Sequence, residues 1–227
     1  MGAQNGNVAI DGFVASGKST VGRALARRLE YLYLDTGAMY RSVALLALRN
    51  GVAVDQESAL VDMLEAHKVS VETRDRTQLG YVVLIDAKDV TVRLFDPDVT
   101  AAVSAVAALP AIRAALVVRQ REIARAGPVV MAGRDIGTVV LPDAPHKFFL
   151  TASLDERARR RRLELEERGV EIALDEVRKQ IEERDRLDES RVTAPLKRAP
   201  DAVLIDSTGI GADTVVERML AAIRDAA

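Results

Sequence analysis

Residues Gly12-Phe13-Val14-Ala15-Ser16-Gly17-Lys18-Ser19-Thr20 constrain this chain more than any other stretch. They fit G-x-x-x-x-G-K-[ST], and they do so in the one context where that pattern has physical meaning. Val8-Ala9-Ile10-Asp11 reads as a short apolar strand, and Lys18 to Glu30 reads as a helix with Val21, Leu25, Ala26 and Leu29 on one face. A strand, a glycine turn and a helix start make an anion site. The glycines let backbone N–H groups turn inward, and the helix end adds partial positive charge. In such a loop Lys18 reaches the β- and γ-phosphates of ATP and the Ser19 hydroxyl ligates Mg²⁺. Gly12 through Thr20 are therefore the expected ATP-binding residues.

The rest of the chain alternates short apolar runs with helical patterns. The runs Val8–Asp11, Tyr31–Asp35, Val129–Ala132, Lys147–Thr151 and Val203–Asp206 read as five strands buried on both faces of a parallel sheet. Helices between most of them give an α/β fold, a P-loop kinase core flanked by helices. Several strands end in polar residues, at Asp11, Asp35, Gly133-Arg134-Asp135 and Asp206-Ser207. In open α/β sheets ligands bind beyond those strand ends.

One segment breaks the alternation. After helices over about Met39–Asn50 and Gln56–Ala66 come three β-like runs, Val69–Thr73, Tyr81–Ile85 and Val90–Leu94, with polar connections such as Arg74–Gln78. Their closeness predicts an inserted antiparallel lobe. Helices then resume at Asp98–Ala108 and from Pro110. The insert lies at about 68–95, between the second and third core strands. A helix carrying Arg157 to Arg162 is opened by the capping-box pattern Ser153-Leu154-Asp155-Glu156 and closed near Gly169.

Composition narrows the partners. The net charge of −2 argues against a nucleic-acid polymer. There is no cysteine, which removes thiolate chemistry and disulfides. Two histidines, His67 and His146, are too few for a histidine metal site and are expected at the surface. The longest apolar window, Val99 to Val118, is interrupted by Pro110 and Arg113 and predicts buried helix rather than a membrane span. A cytoplasmic protein without membrane partners is expected, and a monomer, since a kinase must close around two substrates.

Phosphoryl transfer also needs an acceptor site, and three features propose one. At Asp35-Thr36-Gly37 a strand enters a helix, where Thr36 can donate a hydrogen bond, Tyr40 can face a base and Arg41 can hold a phosphate. A plain helix cap is the alternative there. At Gly133-Arg134-Asp135, Arg134 suits a phosphate, and Asp135 suits either Mg²⁺ or a base. Arg184, Asp188 and Arg191 are spaced i, i+4, i+7 and share one helix face. That spacing also describes an ordinary surface ion pair, and Arg157 to Arg162 an ordinary solvated face.

These residues carry a family resemblance. Ile10-Asp11-Gly12, Ala15 to Thr20, Leu34 to Arg41, Gly133-Arg134-Asp135-Ile136-Gly137-Thr138-Val139-Val140, Pro142-Asp143-Ala144, Arg184-Asp185 with Asp188 and Arg191, Ala194-Pro195-Leu196 and Asp206-Ser207-Thr208 resemble the bacterial-type cytidylate kinases along nearly the whole chain. The resemblance implies ATP-dependent phosphorylation of CMP, and usually dCMP. It implies a core of residues 1–39 and 109–227, an acceptor-binding region of 40–108 enlarged by the antiparallel insert at about 68–95, and a short helical lid within about 153–170. It implies that Ser104, Arg113 and Asp135 read cytosine beside Thr36 and Tyr40, and that Arg41, Arg134 and Arg191 bind the acceptor phosphate. Arg184 and Asp188 would hold the ribose. Arg157, Arg160 and Arg161 would be lid arginines that, with Lys18, neutralise the transferring group. Asp135 is then assigned to cytosine, and Mg²⁺ to Ser19, phosphate oxygens and water. The sequence departs from the family at Phe13-Val14, where proline usually follows Gly12, and at Thr36, where serine is common. Phe13 therefore needs somewhere to pack. Other P-loop readings are a kinase for UMP, AMP or shikimate, or a nucleotide switch. No Asn-Lys-x-Asp guanine signature supports the switch.

Overall fold

The computed structural model describes residues 6–73 and 81–226. Its larger sheet has the strand order β2-β6-β1-β7-β8, where β1 is Val8–Gly12, β2 Leu32–Asp35, β6 Val129–Ala132, β7 His146–Thr151 and β8 Val203–Asp206. The central strand β1 is buried at every position. It pairs in parallel with β6, Val8 opposite Val130, and with β7, Val8 opposite His146. This is why its sequence is a continuous apolar run rather than an alternating one. β8 departs from that expectation. It lies at the sheet edge, and Val203 and Leu204 are about half exposed.

The chain separates into two compact units, one of residues up to Tyr31 with Val130 onward, the other Leu32–Val129. In the first, α1 (Lys18–Leu29) starts at Gly17, which is left-handed, and stops at Glu30, also left-handed, whose N–H returns to Ala26 and Arg27 carbonyls. Helix α8 (Ala212–Asp225) packs on α1 through a buried stripe of Val215, Val216, Met219, Leu220 and Ile223. Helices α6 (Leu154–Glu167) and α7 (Leu174–Ser190) pack together as a hairpin. Ser153 caps α6 by accepting from Glu156 N–H. The reciprocal half of the expected capping box is not made: Ser153 N–H donates to the Thr208 hydroxyl, and Glu156 pairs with Arg159 and Arg160.

The second unit holds α2 (Thr36–Asn50), α3 (Glu57–Ala66), α4 (Pro97–Ala108), α5 (Pro110–Ala126) and a small antiparallel sheet of β3 (Val69–Thr73), β4 (Tyr81–Ile85) and β5 (Lys88–Asp89). The connection expected at Arg74–Gln78 lies outside the described residues. The third strand is shorter and earlier than the sequence suggests. Asp86 and Ala87, both at positive φ, form the two-residue turn between β4 and β5. Asp89 then accepts from the Thr91 N–H and hydroxyl, which turns the chain, and Val92–Phe95 forms a 3-10 turn where Val90–Leu94 was expected to be strand. The apolar window Val99–Val118 is two helices bent by 94° around Leu109, with Pro110 opening the second. Among the described residues no single helix is long and apolar enough to cross a membrane.

Candidate active site

The glycine loop is shaped by close approach. A side chain at Gly12 would put Cβ 1.9 Å from the Leu150 carbonyl oxygen, and φ there is 147°, so β7 leaves room for glycine alone. Gly17, at φ 93°, turns the chain into α1. Within the loop the Phe13 carbonyl gathers donors: Ser16 N–H at 3.4 Å, Ser16 Oγ at 2.9 Å and the Lys18 ammonium. Ser19 is half-buried and Thr20 exposed on the first turn of α1. The Phe13 ring has a packing site. It meets Phe149 edge-to-face at a centroid distance of 5.8 Å, and the Arg157 guanidinium lies 5.1 Å above it. Val14 and Ala15 pack on Ala158, Val177 and Ile181 of the helical hairpin.

Asp11, at the end of β1, is buried and accepts from the Ile136 and Gly137 N–H groups, each at 2.7 Å. Burial pushes its carboxyl up to about 6, against the opposing pull of those two N–H groups and Lys18, and the negative charge of Asp135 adds to the rise. Asp135 is itself buried, and its carbonyl accepts from Val139 and Val140 as it opens a single π turn over Ile136–Val140.

A second cluster surrounds Asp188, whose side chain is 2% exposed. Arg134 Nε donates to it at 2.7 Å, Arg191 bonds its other oxygen, and Arg184 Nε lies 3.7 Å away, too far for a hydrogen bond. Arg184 Nε is buried and has no hydrogen-bond partner. Burial and the nearby charges of Arg134 and Arg161 lower the Arg184 guanidinium to about 10. Three arginines around one carboxylate leave an excess of positive charge, the arrangement that a phosphate or another anion satisfies. The cluster is tied to the glycine loop, because Arg134 Nη1 donates to the Gly12 carbonyl at 3.1 Å.

The arginines of α6 are not equivalent. Arg157 is buried. It bonds Asp185 at 2.5 Å and the Ala152 carbonyl at 3.1 Å, besides covering Phe13. Arg160 grips Ser207 through its hydroxyl at 2.9 Å and its carbonyl at 2.7 Å, and Ser207 in turn donates to the Ser16 carbonyl at 3.1 Å. Arg161 is half-buried and pairs with Glu164.

The remaining expected residues belong to the second unit. Asp35 caps α2 by accepting from Gly37 N–H, so the capping role considered for Thr36 falls to Asp35, and Thr36 is buried in the first turn. Arg113 is buried above the Tyr40 ring at 5.4 Å and donates to the Ala107 carbonyl. Arg41 covers the Phe95 ring at 5.3 Å and donates to Leu94 and Thr100. Ser104 is half-buried on α4.

His146 is a correction: it is buried at the start of β7, with Nε2 unpartnered, because that position pairs with the central strand. His67 Nδ1 lies 2.6 Å from the Asp86 carboxylate, a hydrogen-bond distance. Asp11, Asp185 and Ser207 are site-building residues that spacing did not single out. Their polarity at strand ends or beside Arg184 was visible, but their partners lie far away in sequence. Among the described residues no cluster of three acidic, histidine or cysteine side chains could hold a metal ion. A lone hydroxyl ligand, Ser19, fits Mg²⁺, which keeps most of its waters and takes nucleotide phosphates as ligands.

A glycine loop opening α1, with its lysine folded over the loop and an arginine-rich anion site bonded to its first residue, defines a P-loop phosphotransferase. Comparison with known proteins narrows this further. The Cytidylate kinase family signature matches residues 8–225. A Cytidylate kinase of Geobacillus kaustophilus is 48% identical over 96% of this chain and 96% of its own length, and one of Streptococcus suis is 48% identical over 92% of each. The chain belongs to the cytidylate kinase family. Among solved structures, an uncharacterized protein from Eubacterium ventriosum matches with TM-score 0.54 and 13% identity over 96% of this chain and 98% of its own. A shikimate kinase from Acinetobacter baumannii matches with TM-score 0.50 and 13% identity over 97% of this chain and 93% of its own. These two share the fold.

Proposed function

We infer that this protein transfers the γ-phosphoryl group of ATP to CMP, and to dCMP, giving ADP and CDP or dCDP. The observation that carries this reading is the anion site around Asp188, held against the glycine loop by the Arg134–Gly12 bond. A nucleotide switch would have no use for a second phosphate-sized site. Lys18 holds the ATP phosphates and meets the charge that grows on them. Arg134, Arg191 and Arg41 take the acceptor phosphate, which is largely dianionic at neutral pH and needs no strong general base. Arg184 and Asp188 hold the ribose. Asp135 accepts from the cytosine amino group, with Ser104, Arg113, Thr36 and Tyr40 completing the base site. Arg160 and Arg161 neutralise the transferring group. When bound through Ser19, Mg²⁺ supplies charge neutralisation on the ATP phosphates. Catalysis is in-line positioning and electrostatics rather than covalent chemistry. In this reading residues 1–39 and 109–227 are the core, 40–108 binds the acceptor, about 153–170 is the lid, and the enzyme works as a cytoplasmic monomer.

Phosphorus NMR of ATP·Mg and CMP with the protein tests it. ADP and CDP should appear in equal amounts, and a folded Lys18→Ala variant should lose turnover by about a hundredfold or more. Inorganic phosphate in place of CDP would overturn the reading.

A further inference from the structure

We propose that Phe13 and Arg157 form a stacked brace that sets the geometry of the glycine loop, so that Arg157 acts as a positioning residue for ATP binding and not as a catalytic lid arginine. The inference rests on ATP being the donor that the loop binds.

The observations run from Phe13 outward. Proline after Gly12 would stiffen the loop from within, by fixing φ. This chain has Phe13 there and must hold the loop by other means. The ring meets Phe149 of β7 edge-to-face and lies 5.1 Å from the Arg157 guanidinium. Arg157 cannot swing freely. It is 7% exposed, bonded to Asp185 of α7, and it donates to the Ala152 carbonyl and, more weakly, to the Val14 carbonyl at 3.4 Å. Its Nε and Nη1 are committed to these groups, which hold the guanidinium beside the ring. The next loop residues, Val14 and Ala15, extend the same contact by packing on Ala158, Val177 and Ile181.

The brace closes a circuit. Asp185 lies one helical turn before Asp188 on α7, and Asp188 holds Arg134, which donates to the Gly12 carbonyl. Gly12 and Phe13, adjacent in the chain, are thus each held by an arginine, and each arginine is anchored to a carboxylate of α7. Arg157 touches the loop through the Phe13 ring and the Val14 carbonyl. By contrast, Arg161 is half-buried and pairs with Glu164.

A double-mutant cycle with Phe13→Leu and Arg157→Lys tests the brace. Leucine keeps apolar bulk and removes the π face, whereas lysine keeps the charge opposite Asp185 and removes the planar stack. ATP·Mg affinity is read by calorimetry without acceptor, and CMP affinity in a parallel titration. Each single substitution should weaken ATP binding roughly tenfold. The double variant should be no weaker than about the worse single one, and CMP affinity should change far less than ATP affinity. Phe13→Tyr, which keeps a ring, should recover most of what Phe13→Leu loses. Independent, multiplying effects in the double variant would overturn the brace. So would equal losses for ATP and CMP, or a large kcat loss at unchanged ATP affinity in Arg157→Lys, which would return Arg157 to a catalytic role. If Arg157→Lys does not fold, the Leu and Tyr variants at Phe13 still decide, since a ring-independent ATP affinity rejects the brace. Absence of CMP phosphorylation by the wild type would sink the functional reading while leaving the ATP cycle interpretable.

Discussion

Asp135 and Asp11 are two buried carboxylates near each other with opposite tasks. Asp135 is assigned to the base. Cytosine offers an amino donor where uracil offers a carbonyl, and a carboxylate accepts from the first and repels the second. A site that leaves a buried group unpaired with the wrong ligand discriminates strongly. Asp135→Ala should lower kcat/KM for CMP and narrow the CMP-to-UMP ratio by about tenfold or more. An unchanged ratio would remove Asp135 from base reading. Asp11 is assigned to structure, since both its oxygens hold the turn that follows Asp135. Its folded value of about 6 lies above the ordinary 3.8. A carboxyl raised by folding binds its proton more tightly in the native state, so its contribution to stability is present below about 4 and lost as pH rises through about 6. Between pH 4 and 7 the unfolding free energy of the wild type should fall relative to Asp11→Asn by about 2 kcal/mol. A flat difference across that window would show that Asp11 is not raised. The glycine-loop residues were legible in sequence because their spacing is local. The Asp11–Ile136, Phe13–Arg157 and Arg160–Ser207 contacts were not, because each joins segments at least 47 residues apart.

At the scale of elements, periodicity located the core strands because apolar runs buried on both faces are hard to mistake. It failed where side-chain chemistry redirected the backbone. Val90–Leu94 has strand-like composition, but Asp89 and Thr91 bond locally and bend the chain away. Thr91 then stands in for a ladder partner: its buried hydroxyl accepts the Val83 N–H at 2.9 Å. Thr91→Val keeps the shape and strands that N–H, so it should cost about 1–3 kcal/mol in urea unfolding. A loss below about 0.5 kcal/mol would mean that the N–H finds another acceptor. β8 was misjudged for a different reason. Composition does not tell an edge strand from a central one, and only the strand order places β8 at the edge, where Val203 and Leu204 are about half exposed.

For the whole molecule, the alternation of strands and helices and the anomalous insert were enough to specify a P-loop kinase core with a small antiparallel lobe, and the sheet order bears this out. The acceptor could not be read in the same way. Arg184, Asp188 and Arg191 fit a surface ion pair on spacing alone. Their reading as an anion site rests on the burial of Asp188 and on Arg134, which joins them from a strand end. What the molecule phosphorylates is therefore its central claim. The most direct measurement is kcat/KM for ADP release from ATP·Mg with CMP, dCMP, UMP, AMP and GMP in turn. The account predicts that CMP and dCMP dominate and that UMP lags well behind. Comparable rates with UMP or AMP, or no stimulation by any nucleoside monophosphate, would contradict it.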